Sequence, residues 1–294
     1  MADNSGYQPM NMEVVADYRC VTGESPTWHP FERRLYWLDI PQGRMFRYDP
    51  ATGRHEQCYQ GDVVGGLTVQ ADGALLLFMA KGAVKTWREG KQETIISEIP
   101  GEGDSRFNDV QADPLGRVFC GTMSTAAHAG RLYRLDPDGT LALLVEGVGT
   151  SNGMGFTPDR KRMYHTDSRR REIALYDYDA GAGSIANRRL FAQVPEGEGV
   201  PDGLTVDRAG YVWSARWDGG CLVRYTPQGA EERRILFPAR RVSSLTFGGD
   251  AYEDIYVTTA GDDDRDKHGE SAGALFRLRP GIRGVPEFLS RIGL

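Results

Sequence analysis

Asp202-Gly-Leu-Thr-Val206 is a short apolar run, Asp207-Arg-Ala-Gly210 follows it, and Tyr211-Val-Trp-Ser-Ala215 is a second apolar run. Runs of this length that stop at Gly, Pro, Asp or Asn read as strands. A tetrapeptide with Asp first and Gly last reads as the tight turn between them. The plan recurs along the chain. Glu24-Ser-Pro-Thr-Trp28, Gly65-Gly-Leu-Thr-Val69, Asn108-Asp-Val-Gln-Ala112, Asn152-Gly-Met-Gly-Phe156 and Ser243-Ser-Leu-Thr-Phe247 align with the first run, and successive starts lie 41 to 50 residues apart. Second runs such as Leu35-Tyr-Trp-Leu-Asp39, Ala74-Leu-Leu-Leu-Phe78, Arg117-Val-Phe-Cys-Gly121 and Asp254-Ile-Tyr-Val-Thr258 follow them. A period of about 40–50 residues with four short strands per unit marks a β-propeller. One four-stranded sheet cannot cover both of its faces, whereas sheets packed side by side around an axis do.

The expected fold is therefore all-β, a six-bladed β-propeller with four-stranded blades. Residues 1–294 form one domain, and 1–10 form a flexible tail. The stretch Asn11 to Cys20 alternates like a strand. It is expected to pair with the last blade, so that the N-terminal strand closes the ring and leaves no long edge. Two stacked sandwiches are the other all-β option, but no linker-like change in composition supports that split. No long amphipathic helix is evident.

Composition narrows the function. Thirty-five Lys and Arg against 41 Asp and Glu give a net charge of −6, the wrong sign for a nucleic-acid partner. The 37 glycines, without a period of three, fit a turn-rich chain rather than collagen. The longest apolar stretch, Ala74 to Ala80, is far short of a membrane span, and the N-terminus lacks a secretory pattern. Cys20, Cys58, Cys120 and Cys221 lie far apart without a CxxC pair, so a reducing cytoplasm is expected rather than a disulfide scaffold or zinc site.

The repeat also predicts a site. In a propeller the first strand of each blade is innermost, and equivalent residues face the axis at one rim. Here these are Glu24, Gly65, Asn108, Asn152, Asp202 and Ser243. Two carboxylates and two carboxamides converging on one point suit a hard divalent cation, because carboxylate and amide oxygens are its preferred ligands. The cation would also relieve repulsion between the facing carboxylates. The plain alternative is a polar tunnel filled with water. Arg106 and Asp109, beside Asn108, suggest a cluster that faces a substrate.

Loops after the second strands should surround the same mouth: Met123 to His128, Asp167 to Arg170, Arg216 to Asp218, and 261–273. The last contains Asp262, Asp264 and Asp266 at EF-hand spacing. Lys267 at the sixth place and Gly273 at the twelfth exclude that motif. It is either a solvated loop or a mobile cover over the channel.

Gly23-Glu24-Ser-Pro-Thr-Trp28, Arg106-Phe-Asn-Asp109, Gly121-Thr-Met123, Ser151-Asn-Gly153 and Pro201-Asp-Gly203, in this order, resemble the SMP-30/gluconolactonase/LRE-like family of regucalcin-type gluconolactonases and bacterial sugar lactonases. The resemblance spans about residues 13 to 280 and implies a six-bladed propeller. It further implies that Glu24, Asn152 and Asp202 hold one divalent cation (Ca²⁺, Mn²⁺, Zn²⁺, Mg²⁺ or Fe²⁺). Arg106 and Asn108 would contact the sugar. Some members carry a Glu shortly after Gly-Thr-Met; Ser124-Thr-Ala126 stands there instead, which leaves the particular lactone open. His165 is a strand histidine near the same region.

The implied reaction is hydrolysis of an aldonolactone to its aldonic acid. The metal would polarise the carbonyl, Asp202 would act as general base, and Arg106 and Asn108 would orient hydroxyls. No GxSxG, HExxH or Cys–His pattern offers another nucleophile. Two alternatives stand beside it. One is a hydrolase of other lactones or organophosphates on the same scaffold. The other is a non-enzymatic metal-binding propeller.

Overall fold

The inner strands are Gly23–His29, Val64–Val69, Phe107–Ala112, Ser151–Phe156, Val200–Val206 and Arg241–Gly248. Each begins one of six four-stranded antiparallel sheets, and together they build a six-bladed β-propeller. The computed structural model describes residues 12–294; the expected tail at 1–10 lies outside the described residues. The only helix among them is one turn, Arg265–His268, and none is long and apolar enough to cross a membrane. All four cysteines are free.

The ring closes as the alternation at the N-terminus predicted, over a shorter segment. Met12–Ala16 is the outermost strand of the sixth blade and pairs antiparallel with Leu275–Leu278, with Met12 opposite Leu278 and Val14 opposite Phe276. The sixth sheet therefore takes strands from both ends of the chain. Its outer edge, Met12–Ala16, comes from the opposite end of the chain to its inner strand, Arg241–Gly248.

Burial runs outward from the axis. All six residues of Val64–Val69 are buried, while Lys91–Ile96 on the rim of the same blade is mostly exposed. Apolar layers fill the gaps between blades. Tyr36, Leu38, Leu67, Leu77 and Trp87 pack between blades one and two. Trp213, Leu245, Val257 and Phe276 pack between blades five and six. Each fully buried side chain of this kind contributes about 1.5–3 kcal/mol relative to exposure.

Three of the turns that follow the inner strands share one glycine geometry. Gly73, Gly116 and Gly210 sit at φ of 84°, 86° and 83° and donate to the carbonyls of Gln70, Asp113 and Asp207. That left-handed conformation is cheap for glycine alone, which explains the Gly at the fourth place.

All six inner strands carry one extra residue near their start. Between Ser151 and Met154 the inner strand advances three residues while its partner advances two, from Asp167 to His165. The same slip occurs at Glu24/Thr27, Val64/Gly66, Phe107/Val110, Pro201/Leu204 and Val242/Ser244. A β-bulge bends its strand and re-aims the side chains at the bulge. Here the six bulges fall on the six residues that the repeat aligned, at one rim of the channel.

Candidate functional site

Four of the six aligned residues line one cavity of about 410 Å³ at that rim: Glu24, Asn108, Asn152 and Asp202. All four are buried, at 5 to 7% exposure. The other two have local explanations. Gly65 provides room: a Cβ there would lie 1.8 Å from the Phe107 carbonyl oxygen and 3.2 Å from Arg106 Nη1. The Arg106 side chain occupies the space beside it and lines the cavity. Ser243 turns away, its Oγ donating to the Gly23 carbonyl at 2.5 Å and contacting Thr258 Oγ1 at 3.0 Å.

Glycine also lets the neighbouring inner strands meet closely. A Cβ at Gly153 would sit 2.2 Å from the Leu204 backbone nitrogen, and one at Gly203 2.2 Å from Ser244 Oγ. These are the glycines of Ser151-Asn-Gly153 and Pro201-Asp-Gly203. The small residue after Asn152 and Asp202 is what allows both polar side chains to approach the axis.

A hydrogen-bond chain orients the amides. Arg106 Nη1 donates to its neighbour's carbonyl, Phe107 O, at 2.8 Å and to Asn108 Oδ1 at 2.7 Å. Asn108 Nδ2 donates to Ser151 O at 2.8 Å and to Asn152 Oδ1 at 2.6 Å. Asn152 Nδ2 donates to Ser168 Oγ at 2.7 Å, and Ser168 donates to Pro201 O at 2.6 Å. Asn152 is thus held at both ends of its amide, and the second lone pair of its oxygen is what remains to meet a Lewis acid. Glu24 Oε2 accepts from the Ser25 backbone N–H at 2.9 Å.

The electrostatics are lopsided. Burial raises the Glu24 carboxyl well above the usual range, and the charge of Asp109 raises it further. Asp202 is likewise raised well above it, by burial and then by Glu24 and Asp109. Burial pushes Asp109 up to about 7. Arg106 is the positive group acting on all three, and burial lowers its own pKa. Three carboxylates against one guanidinium leave two negative charges uncompensated when all are ionised. A dication restores neutrality, and the donors are the hard oxygens that such ions prefer. The set of two carboxylates and one carboxamide fits a divalent cation on these grounds. Among the described residues no group of three or more His, Cys, Asp or Glu side chains is placed to hold a metal, so the set depends on the Asn152 carboxamide beside Glu24 and Asp202.

Three of the four loops expected around the mouth contribute to it, through Met123, Ser168 with Arg169, and Trp217. The 261–273 loop contributes no lining residue. It is tied down instead: Gly261 N–H donates to Cys20 O at 2.9 Å, Asp262 N–H to Val21 O at 3.1 Å, and Arg265 pairs with Asp17. Its link to the mouth is Arg241, which donates to Asp262 at 2.9 Å and stacks 4.8 Å from the Trp217 ring centroid. His165 lies behind the cavity, its Nε2 2.8 Å from Ser151 Oγ, and burial lowers its pKa to about 4. It is a neutral strand histidine.

Thr22, Ile40, Thr150 and Val200 also line the cavity and are unmarked in the sequence. They flank the strands rather than sit at the repeated position, so no repeat marks them. Asp109 was legible only as a neighbour of Asn108. The bulge sends Asn108 to the mouth and Asp109 into the channel just below, as it does for Glu24 and Ser25.

Six blades around a polar channel, with a buried acidic cluster at one mouth, define the class to which this chain conforms. A family model described as the SMP-30/Gluconolactonase/LRE-like region matches residues 22–261, and the chain belongs to that family. The pentonolactonase XacC of Haloferax volcanii is 47% identical over 292 residues, covering 97% of this chain and 100% of its own. Regucalcin of Gallus gallus is 31% identical, covering 95% and 98%. Among solved structures, a luciferin-regenerating enzyme superposes with a TM-score of 0.88 at 27% identity, covering 96% of this chain and 100% of its own.

Proposed function

We propose that the protein hydrolyses a sugar lactone, of the five-carbon class, to the open aldonic acid, with one divalent cation held by Glu24, Asn152 and Asp202. The observation that carries the reading is the convergence of these three oxygen donors with Arg106 and Asn108 in one buried cavity. The extensive identity to a protein named a pentonolactonase supports the choice of lactone. The cavity volume of about 410 Å³ lies within the range of about 300–1,000 Å³ usual for small-molecule sites.

When bound, the cation supplies Lewis acidity toward a carbonyl oxygen. The chain's own residues do the rest. Asp202 takes a proton from the attacking water on its carboxylate. Without the cation, burial and then Glu24 and Asp109 raise its carboxyl above the usual range; with the cation bound, the ionised form that can accept a proton is favoured. Asn108 is fixed at both ends of its amide and presents the Arg106–Asn108 pair to the ring hydroxyls as one rigid unit. Arg169 and Trp217 border the opening, where the released aldonate leaves.

The test is a pH-indicator assay on metal-stripped protein, restored with Ca²⁺, Mn²⁺, Zn²⁺, Mg²⁺ or Fe²⁺ in turn, with five-carbon and six-carbon lactones side by side. Acid release that depends on the cation and favours five-carbon lactones is expected. Turnover indifferent to chelation would overturn the cation's role, and a clear six-carbon preference would overturn the substrate class.

A further inference from the structure

The inner strands of blades three to five have a second end. Their starts line the mouth cavity, and their far ends, with the turns beyond them, line a basal cavity of about 560 Å³. One wall is the segment 279–294, which crosses the lower face of the ring. Gly284 N–H donates to Tyr252 O at 2.8 Å, Ser290 N–H to Val69 O at 2.9 Å, and Arg291 N–H to Gly116 O at 2.9 Å. The wall is therefore anchored to three separate blades.

Arg160, Arg208 and Arg291 all line this cavity and are exposed. None of the three side chains makes an ion pair or hydrogen bond among the described residues. By contrast, Arg224, Arg117 and Arg134 are each paired with a carboxylate. Two carboxylates border the cavity, and neither balances the arginines. Asp207 accepts from Arg224 and from Trp213 Nε1 at 3.0 Å, within its own blade. Glu287 accepts from Gln111 Nε2 at 2.6 Å, and burial holds its carboxyl above the usual range, toward the neutral form.

Arg160 adds a second observation. It sits in the fourth blade's turn at φ 57°, donating to Thr157 O; three sister blades use glycine there, and the other two place Arg33 and Tyr252 at φ of 56° and 54°. Its guanidinium lies 5.2 Å from the centroid of the Phe288 ring, on the strap. A left-handed residue with a side chain is common to three of the six turns; what distinguishes Arg160 is that it reaches the cavity wall and the Phe288 ring. An acidic chain has thus gathered unpaired guanidinium groups over an apolar floor that includes Phe288, Leu289 and Val206.

We propose that the basal cavity binds a phosphate-bearing small molecule of the nucleotide type. Arg160, Arg208 and Arg291 hold its phosphates, and its planar body rests on the apolar floor. Guanidinium forks match phosphate oxygens two at a time, which is why arginine suits this role better than a point charge. The site is independent of the lactone reading, because it shares no residue with the mouth cavity.

The test is calorimetric titration of metal-loaded protein with ADP, alongside inorganic pyrophosphate as a probe without a planar body. The Arg208→Gln/Arg291→Gln double variant is the comparison. Saturable ADP binding is expected, tighter than pyrophosphate and weakened by added salt. The double variant should weaken it by about tenfold or more, since two charge-assisted contacts are lost. Lactone turnover and Tm should stay unchanged in that variant. Absence of binding at millimolar ADP overturns the site. Equal binding to wild type and double variant also overturns it, by placing the nucleotide on the cation at the mouth. Pyrophosphate binding as tightly as ADP overturns the assigned planar body.

Discussion

The two ends of the same inner strands solve opposite problems. At the mouth, Glu24, Asp109 and Asp202 crowd into a buried space with one arginine, and the excess is negative. At the base, three arginines border a cavity whose carboxylates are already engaged, and the excess is positive. The mouth is rigid and buried, aimed by bulges and by glycines that leave no space. The base is exposed and closed by a strap from elsewhere in the chain. A strand of six residues separates the two by roughly 20 Å, at about 3.3 Å per residue. Each end can therefore hold its own charge balance with little effect on the other.

The largest break in this contrast is expected from Asp202→Ala. Turnover should fall by about 10²–10⁴-fold, the range for loss of a positioned acid or base, while the ring stays folded. Circular dichroism and a lactone assay on one preparation check both. Turnover within a few-fold of the parent would remove Asp202 from the chemistry.

Gly153→Ala should come next. Its Cβ would overlap the Leu204 backbone nitrogen, so the inner strand of blade five must shift. A loss of about 1–3 kcal/mol is expected, with reduced turnover because Asn152 and Asp202 move apart. Gly139→Ala is the control: φ is 86° but nothing lies within 4 Å, so only the left-handed backbone is penalised, by about 1–2 kcal/mol. Denaturant midpoints and turnover together separate the two, because Gly139→Ala should leave turnover intact.

A pH experiment on metal-stripped protein sharpens the picture of the acidic end. Asp109 has its usual value of 3.8 raised to about 7 in the folded state. Between those values the folded protein binds a proton that the unfolded chain has released. Stability from this group is therefore full below pH 3.8 and is lost as pH rises through about 7. Asp109→Asn should flatten that decline, leaving the metal-stripped variant more stable than the parent near pH 7.5 and comparable near pH 4. Parallel melting curves at the two pH values check it; an unchanged slope would show that Asp109 ionises freely. The cation should reverse the trend, since it binds carboxylates and displaces their protons.

The smallest effect is expected from Arg169→Ala at the exposed rim. KM should rise about two- to fivefold, in keeping with the modest worth of exposed charged contacts, with kcat little changed. A kcat loss larger than the KM change would move Arg169 from the opening into the reacting centre.

Much of this architecture was readable in advance, for a physical reason. Strand alternation, the turn glycines and the 41-to-50-residue spacing are local properties, and a ring of blades is the one way such units cover each other. The alternation before Glu24 likewise predicted the closing strand, and Met12–Ala16 occupies that place. Glu24, Asn108, Asn152 and Asp202 share a cavity because they share a repeat position. Of the two readings of 261–273, solvated loop or mobile cover, the cover finds no residue lining the cavity, and backbone and ion-pair contacts to 17–21 hold the loop in place.

The amino-acid sequence by itself thus determined the number of blades, the closure of the ring and the rim at which polar oxygens gather. Each follows from periodicity, which acts over a few residues at a time. Only the tertiary structure decided which equivalent positions reach the site. The extra residue in each inner strand and the descent of Asp109 into the channel depend on pairing with the next strand of the hairpin, and the gap at Gly65 that admits Arg106 and the turning away of Ser243 depend on contacts between strands some 40 or more residues apart. The basal cavity belongs to the same category. It exists because a segment far along the chain crosses beneath three blades, and no local pattern carries that information.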